Sequence, residues 1–144
     1  MLLPKGVKLD LKFDKWNEVK KELEEQRGTN VANGKVYWLS IGQNLGAETY
    51  GKGVKFKRPV LVLNKIWIKN YINAFIGVPL SSKTSQKSGC LYHKFTDKQG
   101  VKQVALLAQI RLFDTKRVIS NANITILKAD FDKIKNKVKD KIIR

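Results

Sequence analysis

The sequence predicts a mainly β protein, an antiparallel barrel with one helix at each end. Three observations support this fold class. Short runs rich in β-branched and aromatic residues recur between residues 36 and 127, and glycine or polar clusters separate them. The three- and four-residue spacing of a helix appears only before the first of these runs and near the C-terminus. Because no long helix falls between the strands, an antiparallel arrangement is favoured over a parallel one.

Residues 14–27 are predicted to form the N-terminal helix. Trp16 and Leu23 fall on one face, Asp14 is placed to cap the first turn, and Gly28 is placed to end the helix. Acidic and basic side chains are interleaved over the remaining surface, which is typical of a solvated face. We expect the helix to pack on the domain through Trp16 and Leu23; a partner-binding role is the alternative.

Six short runs are predicted to be strands because β-forming residues dominate them. They span residues 36–41, 59–63, 70–80, 91–96, 103–108 and 123–127. Pro59 fits only at the start or the edge of a strand, because it cannot donate to a sheet. The chain closes with a predicted helix that begins near Asp130. Its apolar face is formed by Phe131, Ile134, Val138 and Ile142.

The net charge of the chain is +17, from 29 lysine and arginine residues against 12 aspartate and glutamate residues. The charge is uneven. Residues 10–27 carry five basic and six acidic side chains, whereas residues 28–144 carry 22 basic and six acidic ones. A field of this size favours polyanionic partners and salt-dependent binding to them. The alternative is that the surface lysines serve solubility alone.

The rest of the composition argues against a membrane-spanning, secreted, disulfide-bonded or zinc-binding protein. No apolar run approaches the ~20 residues that cross a bilayer, and the N-terminus lacks the apolar core of a signal peptide. A single cysteine, Cys90, leaves no internal disulfide and fits a reducing cytoplasm. The one histidine, His93, is expected to be structural, and the usual zinc sites lack ligands. We therefore expect a cytoplasmic protein without membrane association, metal or cofactor.

Two segments combine side chains that suit chemistry on a phosphodiester. Cleavage by metal ions needs clustered carboxylates, and no such cluster appears outside the N-terminal helix. The alternative mechanism uses the 2′-hydroxyl of the substrate as the nucleophile. It needs only a base to take the proton and a cation to bind the phosphate. Glu48 would serve as the base, and Arg58 would clamp the phosphate oxygens bidentately. Taken singly, each residue has an ordinary explanation as a loop or strand-end residue.

The loop that leads to Arg58 is basic and carries two aromatic residues. Its side chains suit binding of single-stranded nucleic acid, since lysines grip the phosphate backbone and aromatic rings stack on bases. The residues concerned are Tyr50, Lys52, Lys55, Phe56 and Lys57.

Several segments, taken in order, resemble the MazF/PemK family of toxin endoribonucleases. They are 34–38 (Gly-Lys-Val-Tyr-Trp), 46–48 (Gly-Ala-Glu), 58–62 (Arg-Pro-Val-Leu-Val), 78–82 (Val-Pro-Leu-Ser-Ser) and 106–118, which holds Gln-Ile-Arg. The resemblance covers about residues 34–143. It implies an SH3-like barrel of the MazF/CcdB/Kid type, usually a homodimer, that cleaves single-stranded RNA without metal. It also divides the chain into an N-terminal helical extension, residues 1–33, and a barrel domain with the C-terminal helix, residues 34–144.

The resemblance implies roles for individual residues. Glu48 and Arg58 match the functional glutamate of the family and the arginine that precedes its proline. Ser81 stands where the family usually has threonine, and we expect it to hydrogen-bond the scissile phosphate. The predicted catalytic set is thus Glu48, Arg58 and Ser81. The predicted RNA-binding set is Tyr50, Lys52, Lys55, Phe56, Lys57, Ser82, Lys83, Gln109 and Arg111.

The predicted function is therefore that of the toxin in a type II toxin–antitoxin system, a sequence-specific endoribonuclease held in check by an acidic antitoxin. The rival function belongs to a different class. A barrel of this kind would bind nucleic acid or a protein target, as the gyrase-poison branch does, and inhibit growth without cleaving RNA. A ribosome-associated basic module is a third, weaker alternative.

Overall fold

The computed structural model describes residues 5–25, 27–42, 51–53 and 56–143, with side chains from residue 12 onward. Over these residues the chain forms seven strands and a helix near each end, which confirms the predicted mainly β fold. The strands are β1 (Val36–Ser40), β2 (Lys57–Ile68), β3 (Ile72–Ser81), β4 (Tyr92–Thr96), β5 (Lys102–Leu106), β6 (Arg111–Asp114) and β7 (Val118–Asn121). The helices are α1 (Lys5–Glu25) and α2 (Lys128–Lys137), with a π-helical turn (Val138–Ile142) after α2 and short 3₁₀ helices at Leu107–Gln109 and Thr115–Arg117.

All the strand pairs are antiparallel, and their order is β4-β5-β3-β2-β1-β7, with β6 paired to β3. Strand β3 has the most neighbours and changes them along its length. Its pairing with β2 ends where Val60 lies opposite Pro79. The next residues, Leu80 and Ser81, pair with β5 instead. The start of β2 and the end of β3 are therefore left unpaired with each other, and a gap opens between them.

The sheet has a hydrophobic core on each face, because successive side chains along a strand point in opposite directions. Leu61 and Val78 lie in the core that α2 covers, and Ile134 of α2 is fully buried there. The neighbouring Val60 packs with Phe75 on the opposite face. The predicted apolar face of the C-terminal helix is confirmed, since all four of its residues belong to or contact the first core.

Helix α1 packs on the sheet through a third, smaller cluster of Trp16, Leu23 and Phe56. This confirms the predicted contact through Trp16 and Leu23. The predicted N-cap at Asp14 is wrong, because α1 begins at Lys5 and Asp14 lies in its middle, where its backbone N–H faces the preceding turn. The helix is described as far as Glu25, so it is longer at its start than the spacing predicted.

The C-terminal third differs most from the predicted strands. The expected strand at 123–127 is absent, and two four-residue strands, β6 and β7, lie earlier in the chain. The backbone of Asn123 has a φ of 56°, in the left-handed region that interrupts a strand. Its N–H donates to Oδ1 of Asn121 at 2.7 Å, which fixes a turn directly after β7. No helix in the described part of the chain has the length and apolarity needed to span a bilayer.

Candidate functional site

The gap between the start of β2 and the end of β3 forms a cavity of about 420 Å³, which we call the main cavity. Strands β1, β2, β3 and β5 contribute to its walls, together with the segment before β2 and the turn after β3. The described residues that line it are Trp38, Lys52, Gly53, Lys57, Arg58, Pro59, Leu80, Ser81, Ser82, Lys83, Gln103 and Ile124.

The strand register explains why Arg58 and Ser81 face each other across the main cavity. Val60 pairs with Pro79, so continuing this register by two residues on each strand places Arg58 opposite Ser81. Backbone pairing does not continue, because β3 has turned to β5. The Arg58 side chain bridges the gap instead, and its Nη1 donates to the carbonyl oxygen of Leu80 at 3.3 Å. This contact anchors the guanidinium to the backbone of the residue before Ser81.

The described lining of the main cavity is cationic and includes no aspartate or glutamate. It contains Lys52, Lys57, Arg58 and Lys83. The ammonium of Lys83 lowers the pKa of Lys52, and Arg58 and Lys87 act in the same direction. Like charges at close range disfavour the protonated form of Lys52, and desolvation lowers its pKa in the same direction, so the shift agrees with the cluster of cations around it. An anion that enters this cavity would relieve that repulsion, which makes the main cavity suitable for a phosphate group.

Ser81 and Lys83 belong to one tight turn at the end of β3. The backbone N–H of Lys83 donates to Oγ of Ser81 at 3.2 Å. This bond uses the hydroxyl as an acceptor, so its own proton is oriented away from the Lys83 backbone and can donate to a phosphate oxygen. Ser81 is half-buried, whereas Ser82 and Lys83 are exposed. The turn thus presents an oriented hydroxyl with an exposed ammonium beside it.

Part of the lining of the main cavity is apolar. Trp38 is half-buried in the middle of β1, and Pro59 and Ile124 lie with it in the lining. The Nζ atom of Lys57 lies 5.0 Å from the centre of the Trp38 ring, a cation–π distance. A flat apolar wall beside a row of cations suits a nucleotide, which has an apolar base and a charged phosphate.

The structure brings together six of the predicted site residues at the main cavity: Lys52, Lys57, Arg58, Ser81, Ser82 and Lys83. Glu48, Tyr50 and Lys55 lie outside the described residues. The stacking role predicted for Phe56 is corrected, because its side chain is only 8% exposed and packs edge-on against Trp16 at 5.5 Å between ring centres.

Gln109 and Arg111 are not among the described residues of the main cavity. Gln109 lines a smaller cavity of about 190 Å³ near β4. The guanidinium of Arg111 lies 4.8 Å from the centre of the Phe113 ring. Their predicted contact with RNA stays a prediction.

Six lining residues were not among the predicted site residues: Trp38, Gly53, Pro59, Leu80, Gln103 and Ile124. Trp38 and Pro59 lie within the segments that suggested the site, so their proximity to Arg58 was a usable signal. Gln103 and Ile124 are distant in sequence and carry no distinguishing pattern. They reach the main cavity only through the topology of the sheet.

The single histidine lies away from the main cavity. His93 is 8% exposed, and its Nε2 is 3.1 Å from Oδ1 of Asp130 in α2. This contact joins β4 to α2 and agrees with the structural role predicted for His93. Among the residues with described positions, no group of three histidine, cysteine, aspartate or glutamate side chains is arranged to hold a metal ion.

The sequence and the fold were compared with those of known protein families and solved structures. The family of PemK-like, MazF-like toxins of type II toxin–antitoxin systems matches residues 32–142. The chain belongs to this toxin family. Among solved structures, MazF from Deinococcus radiodurans is similar with a TM-score of 0.59 and 18% sequence identity; the match covers 78% of this chain and 94% of that one. At this identity the similarity shows the shared fold. No curated protein sequence matches the chain significantly.

The family match begins at residue 32, after α1. The main cavity lies within the matched residues, whereas α1 lies outside them.

Proposed function

We propose that this PemK/MazF-like toxin is an endoribonuclease that cleaves single-stranded RNA without a metal ion. The observation that carries the proposal is the main cavity, where Arg58 and the Ser81 hydroxyl lie across a gap rimmed by lysines. Such a site binds a phosphodiester and stabilises the extra negative charge that develops on it during cleavage. Membership of a family of toxins supports the same assignment.

In the proposed reaction, the 2′-hydroxyl oxygen of the substrate attacks the adjacent phosphorus while its proton passes to the Glu48 carboxylate. The bond from phosphorus to the 5′-oxygen of the next nucleotide breaks, and that oxygen leaves as a 5′-hydroxyl after taking a proton from water. The other product is a 2′,3′-cyclic phosphate. Glu48 lies four residues before Lys52 in the sequence, and Lys52 lines the main cavity.

Arg58 and Ser81 act on the phosphoryl oxygens. The planar guanidinium matches two of these oxygens at once, and its charge stabilises the phosphorane. The Ser81 hydroxyl donates to one oxygen, in a position that the bond from the Lys83 backbone keeps fixed. Lys52, Lys57 and Lys83 neutralise the neighbouring phosphates. Removing a single donor to such a charge costs about 10²–10³ in kcat in other enzymes.

We also propose that the toxin is a homodimer controlled by an acidic antitoxin. Large apolar side chains at the β2–β3 hairpin are exposed, among them Trp67 at 59% and Tyr71 at 81%, which favours a protein contact. An acidic, partly disordered antitoxin would suit the cationic main cavity and compete with RNA there.

The experiment is cleavage of a long labelled single-stranded RNA by the purified protein in excess EDTA. A DNA of matched sequence is the control substrate. Arg58→Ala should abolish cleavage, and Arg58→Lys should restore little of it, because an ammonium lacks the bidentate fork. Arg27→Ala is the matched control, since Arg27 is exposed and is not among the described lining of the main cavity.

Each outcome of this experiment distinguishes the proposed functions. RNA cleavage that survives in Arg58→Ala would refute the assigned role of Arg58. Intact RNA together with tight, salt-sensitive binding would mean that the main cavity serves a non-catalytic binder. A 2′,3′-cyclic phosphate at the new end, detected by mass spectrometry, would identify the 2′-hydroxyl as the nucleophile.

A further inference from the structure

We infer that a second cavity, which we call the side cavity, binds the part of the RNA strand that flanks the cleaved phosphodiester. The inference rests on the proposed function and adds a binding site to it. The side cavity has a volume of about 470 Å³. The described residues that line it are Asn33, Gly34, Lys35, Val36, Lys98, Gln99, Asn121, Asn123, Ile124, Thr125, Ile126, Lys128 and Phe131.

The charge of the side cavity favours a polyanion. Three exposed lysines, Lys35, Lys98 and Lys128, lie on its rim, and its described lining includes no aspartate or glutamate. They come from three separate places in the chain: the residue before β1, the β4–β5 turn and the start of α2. Lysines drawn together by the fold, rather than by sequence repetition, form a local positive site within the general charge of the surface.

The side cavity adjoins the main cavity. Ile124 lines both of them. Val36 of the side cavity and Trp38 of the main cavity are two residues apart in β1, so their side chains point to the same face of the strand. The β4–β5 hairpin forms a second connection, with Gln103 in the main cavity and Lys98 at its turn in the side cavity. An RNA that extends from the main cavity towards the side cavity would thus meet two adjacent surfaces whose described linings hold no aspartate or glutamate.

The wall that carries Lys98 is held in place. The buried Asp97 carboxylate accepts hydrogen bonds from the backbone N–H groups of Gln99, at 3.0 Å, and Val101, at 2.9 Å. The Gln99 side chain in turn bonds Thr125 twice, donating to its Oγ1 and accepting from its N–H, each at 3.3 Å. Because the turn and the 123–126 segment are tied together, the site exists before a ligand arrives, which reduces the ordering cost of binding.

The lining fits nucleotides better than an acidic peptide. Its floor contains half-buried Ile124 and Phe131, which offer an apolar surface to a base. Asn33, Asn121 and Asn123 bring amide groups to the wall. Oδ1 of Asn33 and of Asn121 already accepts from the backbone N–H of Lys65 and of Asn123, which orients these amides so that their NH₂ groups can donate to base edges. A peptide of glutamates would use the lysines and leave both of these features unused.

The test compares two RNAs, of about 5 and 14 nucleotides, which we call the short and the long RNA. Both contain the same cleavage motif, which is identified by mapping the products of the labelled substrate used in the cleavage experiment. A 2′-deoxy nucleotide at the scissile position prevents cleavage. The variant is Lys35→Gln/Lys98→Gln/Lys128→Gln. The control carries the same loss of charge on exposed positions of the C-terminal helical segment: Lys133→Gln/Lys139→Gln/Lys141→Gln. Dissociation constants are measured by fluorescence anisotropy from 50 to 300 mM salt, and circular dichroism confirms that each variant is folded.

The variant should bind the long RNA more weakly than the parent does and the short RNA equally well. For three lost phosphate contacts, the slope of log affinity against log salt should fall by about 2, at ~0.7 per contact on a single strand. Equal weakening by the control, unchanged affinity for the long RNA, or equal weakening for both lengths would overturn the inference. Loss of binding to a polyglutamate probe with long-RNA affinity intact would assign the side cavity to an acidic protein instead. If the parent binds neither RNA, the proposed function itself fails.

Discussion

Replacement of Trp16 by alanine tests how α1 is held on the toxin domain. The indole is 5% exposed and lies edge-on to Phe56. The Arg117 guanidinium carbon lies 5.8 Å from the centre of the same ring, and its Nη1 donates to the carbonyl oxygen of Ser40 at 3.0 Å. On a third side the ring lies against Gly42, where a Cβ would come within 2.2 Å of it. The indole is therefore the central contact of α1.

The free-energy cost of Trp16→Ala can be estimated from the burial of the indole, and the small cluster to which the indole belongs determines which part of the protein is destabilised. Truncation of a buried tryptophan costs about 3–5 kcal/mol, which includes the lost aromatic and cation–π contacts. The cluster of Trp16, Leu23 and Phe56 is separate from the two cores of the sheet. The loss should therefore fall on the docking of α1 and leave the sheet folded. At the lower bound, about 3 kcal/mol corresponds to a hundredfold or greater rise in the opening equilibrium of α1.

Native-state hydrogen exchange measures this opening directly. In Trp16→Ala, amides of α1 should exchange at least a hundredfold faster, while those of β2 and β3 keep their protection. Trp67→Ala is the matched control, because Trp67 is 59% exposed at the end of β2 and should leave α1 unchanged. Equal protection of α1 in the parent and in Trp16→Ala would refute the reasoning, and so would loss of protection throughout the sheet.

Two further predictions concern Gly42 and the lysines of the main cavity. Gly42→Ala should lower the free energy of unfolding in urea by more than Gly34→Ala does. Both glycines have a positive φ, of 90° and 81°, but only a Cβ at Gly42 would collide with Trp16. Similar losses for the two variants, near the ~1–2 kcal/mol that a left-handed backbone alone costs, would contradict this prediction. Lys83→Met should raise the pKa of Lys52 towards its ordinary value, as measured by NMR titration of the ammonium group, because Lys83 contributes most to its lowering. In the parent, Lys52 is charged below its lowered pKa and neutral above it, so RNA affinity should fall as the pH rises through that pKa. In Lys83→Met this fall in affinity should move to higher pH. An unchanged pKa of Lys52 would show that Lys83 does not cause the lowering.

The parts of the fold that depend on local pattern could be predicted from the sequence. The run at 59–63 is apolar because β2 passes between two cores there, with Val60 and Leu61 buried on opposite faces. The spacing of Ile134 and Val138 identified the buried face of α2, since helical periodicity is a property of neighbouring residues. Arg58 and Ser81 were recognisable because each lies at the end of such a run.

The parts that depend on distant pairing could not be predicted. Strands β6 and β7 have only four residues each and no marked alternation, and they are strands because β3 and β1 pair with them. The start of α1 was missed because the apolar spacing is clear only from Trp16 onward. Gln103 and Ile124 reach the main cavity through strand order, and strand order is not encoded in either residue or its neighbours.

The pairing of β1 with β7 has a consequence for the synthesis of the protein. Tyr37 pairs with Asn121, and the main cavity needs both Trp38 and Ile124 for its apolar wall. These partners are separated by most of the domain, so the ribosome must make nearly the whole chain before they can meet. Contacts of such long sequence separation also form slowly during folding. A nascent or truncated chain therefore lacks a complete main cavity, and the site proposed to cleave RNA would be assembled only late in synthesis.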